Sequence, residues 1–182
     1  MDHRLLSLFA TLLIVGAASA QTFTLSSSTV GGQATQKEVF NGFGCTGENM
    51  SPALEWKNAP EGTKSFAITL YDKDAPTGSG WWHWLAFDIP ATSTALPQGA
   101  GDPAKGLMPA GVVQGRTDYG APGYGGPCPP EGHGPHQYVM TVYALKTDKL
   151  GLDANASPAV VGYTLNANLL AKASIVFYYE RK

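Results

Sequence analysis

Charge is scarce in this chain: Asp, Glu, Lys and Arg make up 14% of its 182 residues, and the formal net charge is −2. Without a basic field, nothing draws nucleic acid or an anionic membrane surface from a distance. No nucleic-acid partner is expected, and recognition must be local. Cysteine is nearly absent: only Cys45 and Cys128 occur. There is no G-x-S-x-G elbow, and no serine stands at a recognisable spacing from a histidine, so nucleophilic catalysis finds no support. No internal repeat or low-complexity tail is visible.

Long apolar runs are missing too, with one short exception at the start. Residues 1–20 carry Arg4, the apolar stretch Leu5 to Val15 and the small-residue set Ala18-Ser19-Ala20 before Gln21. That order reads as a secretory signal cleaved near Ala20, because the apolar run is shorter than the roughly 20 residues that span a bilayer. No Cys sits at the cleavage point, which argues against a lipoprotein. The expectation is an exported, periplasmic or secreted protein whose residues 21–182 form one domain, large enough to bury a core unaided. Export permits a Cys45–Cys128 disulfide, but spacing cannot prove proximity, so a bridge and two buried free thiols both stand open here.

The periodicity is mostly that of strands. Phe66 to Asp72 alternates, with Phe66, Ile68 and Leu70 on one face and Asp72 at its end. Trp82 to Ile89 alternates as well, which puts His83 on the side of Leu85, Phe87 and Ile89. Gln137 to Leu145 is apolar on both faces and reads as an internal strand; Ser174 to Glu180 is a fourth. Shorter candidates lie at Phe23–Leu25 and Leu54–Trp56. One helix is expected, with Ser157 as N-cap, Pro158 at the first helical position, and Val161, Leu165 and Leu169 at four-residue spacing. Between Leu96 and His136 no long element is visible, yet residues 98–135 hold half of the 22 glycines and 7 of the 13 prolines. A loop this long inside a domain is usually functional.

Candidate chemistry gathers at the end of that loop. Residues two apart in a strand share a face, so His136 and Tyr138 project together from a rigid Gly/Pro segment, whose backbone N–H groups are expected to face a small anion. Asp72 reads equally well as a turn cap in Tyr71-Asp-Lys-Asp-Ala-Pro76. Paired with an imidazole, it would favour the protonated ring and so tune the site for an anion. His83, between Trp82 and Trp84, reads by itself more readily as a core histidine than as a ligand. Trp81, Trp82 and Trp84 cannot all be core, because neighbours in a strand face opposite ways. A zinc site from Asp72, His83, His133 and His136 is disfavoured, since the H-x-x-H spacing falls on irregular chain; neither metal nor cofactor is expected.

Asp72-Lys-Asp-Ala-Pro76, Trp82-His83-Trp84 and Gly125-Gly-Pro-Cys-Pro-Pro130 followed by His136-Gln-Tyr138 resemble the phosphatidylethanolamine-binding protein family, in its bacterial Raf-kinase-inhibitor-like branch. Phe43 to Trp56 resembles that branch's N-terminal signature, so the likeness runs along nearly the whole chain after Ala20. It implies an antiparallel β-sandwich of Greek-key type with small peripheral helices and one anion pocket. By motif position the pocket residues fall on Asp72, His83, Gly126, Cys128, Pro130, His136 and Tyr138. Gln137 departs from the family's usual Arg and is expected to face away from the pocket. The gating C-terminal helix of mammalian members has no counterpart before the chain ends, which implies a more open pocket. The resemblance thus implies a non-enzymatic protein that binds phosphate, carboxylate or a phospholipid head group. A regulator of a protein partner, such as a protease, is the second reading, and an acid–base enzyme the third. A homodimer is compatible with the resemblance.

Overall fold

In the computed structural model, which describes residues 21–182, alternating apolar side chains build ten strands and one α-helix. The strands are β1 (Thr24–Ser26), β2 (Asn41–Gly42), β3 (Cys45–Thr46), β4 (Leu54–Lys57), β5 (Ser65–Asp72), β6 (Trp81–Pro90), β7 (Ala95–Leu96), β8 (Val113–Gln114), β9 (His136–Leu145) and β10 (Leu169–Tyr179); the helix is α1 (Pro158–Ala167). The sequence-predicted leader lies outside the described residues.

Strands β10-β9-β5-β6-β8 form one antiparallel sheet, and β1-β4-β7 a second. The spatial order β9-β5-β6-β8, with the chain returning through a long loop to lie beside its first strand, is that of a Greek key. Leu25, Leu54, Trp56 and Leu96 of the small sheet meet Phe66, Ile68, Leu70, Trp84, Met140, Val142 and Phe177 of the large one, closing a β-sandwich core. The outer face of the large sheet is covered in part by α1, whose Val161 and Leu165 pack with Ala67, Leu85 and Phe87. Burying each of those two helical side chains is worth roughly 1.5–3 kcal/mol. Ser157 caps the helix by accepting from the Val160 N–H, as expected. Leu169, expected on the helix, instead opens β10, because α1 ends at Ala167 and Asn168 turns the chain back into the sheet.

The main departure from simple alternation is in β6. Phe66 pairs with Ile89 but Ile68 with Ala86, and Leu70 pairs with Trp84 but Tyr71 with Trp82. Each step leaves one extra residue on β6, the signature of a β-bulge. The first lies beside Asp88, whose φ is 61°, and turns Ile89 into the sandwich core while Leu85 and Phe87 face the helix. The second falls on His83, so the expected face for His83, with Leu85 and Phe87, is incorrect.

The long loop is ordered by a 3-10 turn at Pro103–Lys105 and by β8 on the edge of β6. Cys45 and Cys128 are bridged, which ties the β2–β3 hairpin to the loop before β9. The Phe40 N–H donates to the Pro127 carbonyl at 3.0 Å and makes a second tie.

Candidate functional site

Register brings the acid to the phenol. Asp72 at the end of β5 lies directly opposite Tyr138 on β9, so His136, two residues earlier on the same face, reaches the same carboxylate. His136 Nδ1–H donates to Asp72 Oδ2 at 2.7 Å, and both side chains are nearly excluded from solvent. The other carboxylate oxygen, Oδ1, accepts the Asp74 N–H at 2.9 Å. The turn-capping and ion-pairing roles of Asp72 therefore coexist, one on each oxygen.

His83 joins this group through the bulge that re-aims it. Its Nδ1 faces two carbonyl oxygens, Gly125 O at 2.7 Å and Gly126 O at 3.1 Å, which can only accept, so Nδ1 carries the hydrogen. Burial pushes the imidazole pKa down to about 4, against the opposing pull of those carbonyls and of Asp72. At neutral pH His83 is thus uncharged, and its bare Nε2 lies 4.0 Å from Asp72 Oδ2. The imidazole that Asp72 holds by a hydrogen bond is His136.

The Gly/Pro loop turns its carbonyls, not its amides, toward the cluster. Gly125 N–H donates to His83 O, Gly126 N–H to Asn49 Oδ1 and Gly132 N–H to Arg181 O, so these donors are spent within the fold rather than facing an anion. Gly126 is required for space: a Cβ there would lie 1.9 Å from the Glu38 carbonyl oxygen. Its carbonyl also accepts from the Tyr119 hydroxyl at 2.9 Å. Cys128 is half-buried, with its sulfur committed to Cys45 beside the Gly42 and Phe43 carbonyls. Pro130 is exposed, and its carbonyl accepts the His133 N–H, so it shapes the loop that carries His133. That loop sets His133 Nδ1 2.8 Å from His136 Nε2. With His136 Nδ1–H given to Asp72, the two rings share one hydrogen across the His133 Nδ1–His136 Nε2 contact. Gln137 faces outward and donates to the Tyr178 hydroxyl.

Aromatic rings close the surroundings. Tyr138 stands edge-on to His83 at 5.2 Å, and Tyr119 edge-on to His83 and to Trp81, both at 5.4 Å. Burial and the neighbouring Asp72 push both phenols well above their ordinary pKa, so they stay neutral donors. The Trp81 Nε1–H is buried without a protein hydrogen-bond partner, and the buried Tyr138 hydroxyl faces Asp72 without a well-formed hydrogen bond. Of the three neighbouring tryptophans, Trp84 is core, Trp82 stacks near Tyr71, and Trp81 borders the cluster. Tyr119 had no motif signal in the sequence, and Asn49, although inside the Phe43–Trp56 signature, had none of its own. Among the described residues, no group of three or more His, Cys, Asp or Glu is arranged to hold a metal. A separate surface cleft of about 330 Å³ between Gln33, Pro135 and Tyr178–Glu180 does not include the cluster.

What the cluster offers is the His83 Nε2 lone pair, the Asp72 carboxylate with the Tyr138 O–H facing it, and the unpartnered Trp81 Nε1–H. Both cysteines are in the disulfide, so no thiol nucleophile is present among the described residues.

Comparison with known proteins agrees with the fold. The sequence profile described as "Phosphatidylethanolamine-binding protein" matches residues 30–180. The chain is 54% identical to YbcL of Escherichia coli over 171 residues, covering 93% of each protein. It is 49% identical to YbhB of the same organism over 152 residues, covering 82% of this chain and 94% of YbhB. The crystal structure of E. coli YbcL, described as a new member of the mammalian PEBP family, superposes with a TM-score of 0.86 at 55% identity, covering 88% of this chain and 99% of that one. With the sandwich, the register that joins Asp72 to Tyr138, and a profile match over most of its length, this chain belongs to the phosphatidylethanolamine-binding protein family.

Proposed function

We propose that the protein is an exported, non-enzymatic binding protein whose Asp72–His83–His136–Tyr138 cluster holds a small oxyanion, such as phosphate, a carboxylate or a phosphorylated head group. One observation carries this reading: beside a buried Asp–His pair the Trp81 Nε1–H is buried without a protein partner, and the buried Tyr138 O–H faces Asp72 without a well-formed hydrogen bond. Native proteins rarely leave such groups unpaired, because each costs about 1–3 kcal/mol. An oxyanion has the acceptors both donors require. Anchoring by two bulges, a disulfide and glycine carbonyls supports rigid placement rather than a moving catalytic base. The expected localisation follows from the leader-like residues 1–20.

The test is a heteronuclear NMR titration of the chain from Gln21 with phosphate, acetate and phosphoethanolamine, with His136→Gln as control. Saturable shifts at His83, His136 and the Gly123–Gly134 amides, lost in the variant, are expected; no shifts at millimolar ligand would refute the reading. Regulation of a protein partner is favoured by one feature. Phe43, 70% exposed at a left-handed turn, packs beside Phe40 and Tyr119 at the edge of the site. A partner captured equally by wild type and His136→Gln, but not by Phe43→Ala, would support that second reading.

A further inference from the structure

Resting on the anion-site reading, we propose that the loop of residues 131–135 is a pH-sensitive gate over the cluster, latched by the His133–His136 contact and released when both rings are protonated. Its basis is a contrast in exposure. Asp72, His83 and His136 are only 2–3% exposed, while Pro130 to His133 and Pro135 lie in solvent. From that exposed loop His133 Nδ1 reaches in to 2.8 Å from His136 Nε2. An exposed ring thus caps the outward edge of a sealed one.

The count of protons makes the latch depend on pH. His136 Nδ1–H is fixed on Asp72 Oδ2, so the facing nitrogens, His133 Nδ1 and His136 Nε2, have room for one hydrogen between them. The neutral pair meets this condition, with one ring donating to the other. One added proton meets it too, because the shared hydrogen stays in place and the positive charge lies beside the Asp72 carboxylate. A second added proton puts a hydrogen on both facing nitrogens, and the contact has to break. Histidine is the side chain whose charge changes in this way under mild acid.

The surrounding groups hold the charge on His136 better than on His133. Asp72 faces His136 from β5, and Asp74, whose Oδ2 accepts the Gln137 N–H, is a second carboxylate nearby, itself offset by Lys73 at 2.7 Å. His83 on β6 is uncharged near neutral pH, Tyr138 on β9 stays neutral, and Tyr179 of β10 lies opposite His136. Glu131 pairs with Arg181 at 3.7 Å, and no carboxylate is paired with His133 among the described residues. Released, the loop is free to swing. Gly132 and Gly134 flank His133 at φ 70° and 83°, and a Cβ at either would meet nothing within 4 Å. The remaining holds are the Gly132 N–H on the Arg181 carbonyl and, within the loop, the His133 N–H on the Pro130 carbonyl. The cluster stays fixed on its strands while the loop moves.

The experiment is NMR on ligand-free wild type, His133→Ala and His133→Asn at pH 7.5 and at pH 5.0, the latter well below the ordinary imidazole pKa of about 6.5. It reads the nitrogen–nitrogen coupling across the His133–His136 hydrogen bond and the rate at which the His136 Nδ1 hydrogen exchanges with water. At pH 7.5 wild type should show the coupling, and His133→Ala should exchange about 3–10 times faster than wild type, the range that one hydrogen bond commands. At pH 5.0 wild type should lose the coupling and exchange within about twofold of His133→Ala. Asn sets an amide where the imidazole Nδ1 stood, able to donate or accept without titrating. His133→Asn should therefore stay at least about threefold slower than His133→Ala at both pH values. A coupling that persists in wild type at pH 5.0 overturns the proposal. Equal exchange in wild type and His133→Ala at pH 7.5 does so as well, as does a His133→Asn protein that opens on acidification. Phosphate added to wild type and His133→Ala at pH 7.5 tests the reading beneath it. Faster association with the variant is expected, and association at or below the wild-type rate overturns the gate. Absence of binding by both at millimolar phosphate overturns the anion site, while the exchange rates still decide the latch.

Discussion

Removal of the Cys45–Cys128 bridge should weaken the fold chiefly through the unfolded chain. The two cysteines are 83 residues apart in sequence. Closing a loop of that length removes about 15 cal/mol/K of chain entropy from the unfolded ensemble, or about 4.5 kcal/mol at 25 °C, and natural bridges commonly deliver about 2–4 kcal/mol. In the folded state the hairpin has other ties: the Phe40 N–H to Pro127 O bond, and Phe40 stacked on Tyr119 at 4.1 Å. The Cys45→Ser/Cys128→Ser protein should therefore keep its native shape and bind anions within about threefold of wild type. In guanidinium denaturation it should lose about 2–4.5 kcal/mol, equivalent to roughly 4–18 °C in Tm for a domain of this size. A loss below about 1 kcal/mol would refute the loop-entropy argument. A full loss of binding with little loss of stability would place the bridge's effect in the native site instead.

Three further perturbations separate site from scaffold. The folded-state pKa of His83 lies below its unfolded value of 6.5, so its contribution is fully present above pH 6.5 and is lost as pH falls toward about 4, amounting to about 3 kcal/mol. Unfolding free energy measured across that window should show this slope, and His83→Gln should flatten it. Tyr138→Phe removes a buried hydroxyl that faces Asp72 without a well-formed hydrogen bond; unfolding free energy should change by no more than about 1 kcal/mol, while phosphate affinity falls at least tenfold. Equal affinity would remove the phenol from the site. Gly126→Ala forces a Cβ against the Glu38 carbonyl and should cost about 1–3 kcal/mol while shifting the His83 ring resonances; unchanged stability would mean that the Glu38–Phe40 segment yields freely.

The strands that frame the site were legible because β5 and β9 obey period-two alternation, which alone places Asp72 on the Ile68–Leu70 face and His136 with Tyr138. The face of His83 was not legible. A bulge adds a residue without any mark in the hydrophobic pattern, and two bulges in β6 reverse the assignment at both of its ends. The start of β10 was missed because Leu169 fits the helical spacing of Val161 and Leu165, and the capping Asn168 is the only local sign of a break. The loop's rigidity could be read from its glycines and prolines, but the direction of its peptide groups could not, because it is set by distant partners such as Asn49 and Arg181. Tyr119 was invisible for the same reason: it reaches the site from a turn that no periodicity describes.

The line of contacts Asp72, His136, His133 begins at a carboxylate sealed in the sandwich and ends at an exposed imidazole. Each link is a short hydrogen bond between groups that both give and take protons. The interior of the site is therefore joined to bulk solvent by hydrogen bonds through two rings, with no strand having to part. Hydrogen exchange of the ring protons should then run far ahead of the backbone amides of β5 and β9 that enclose them.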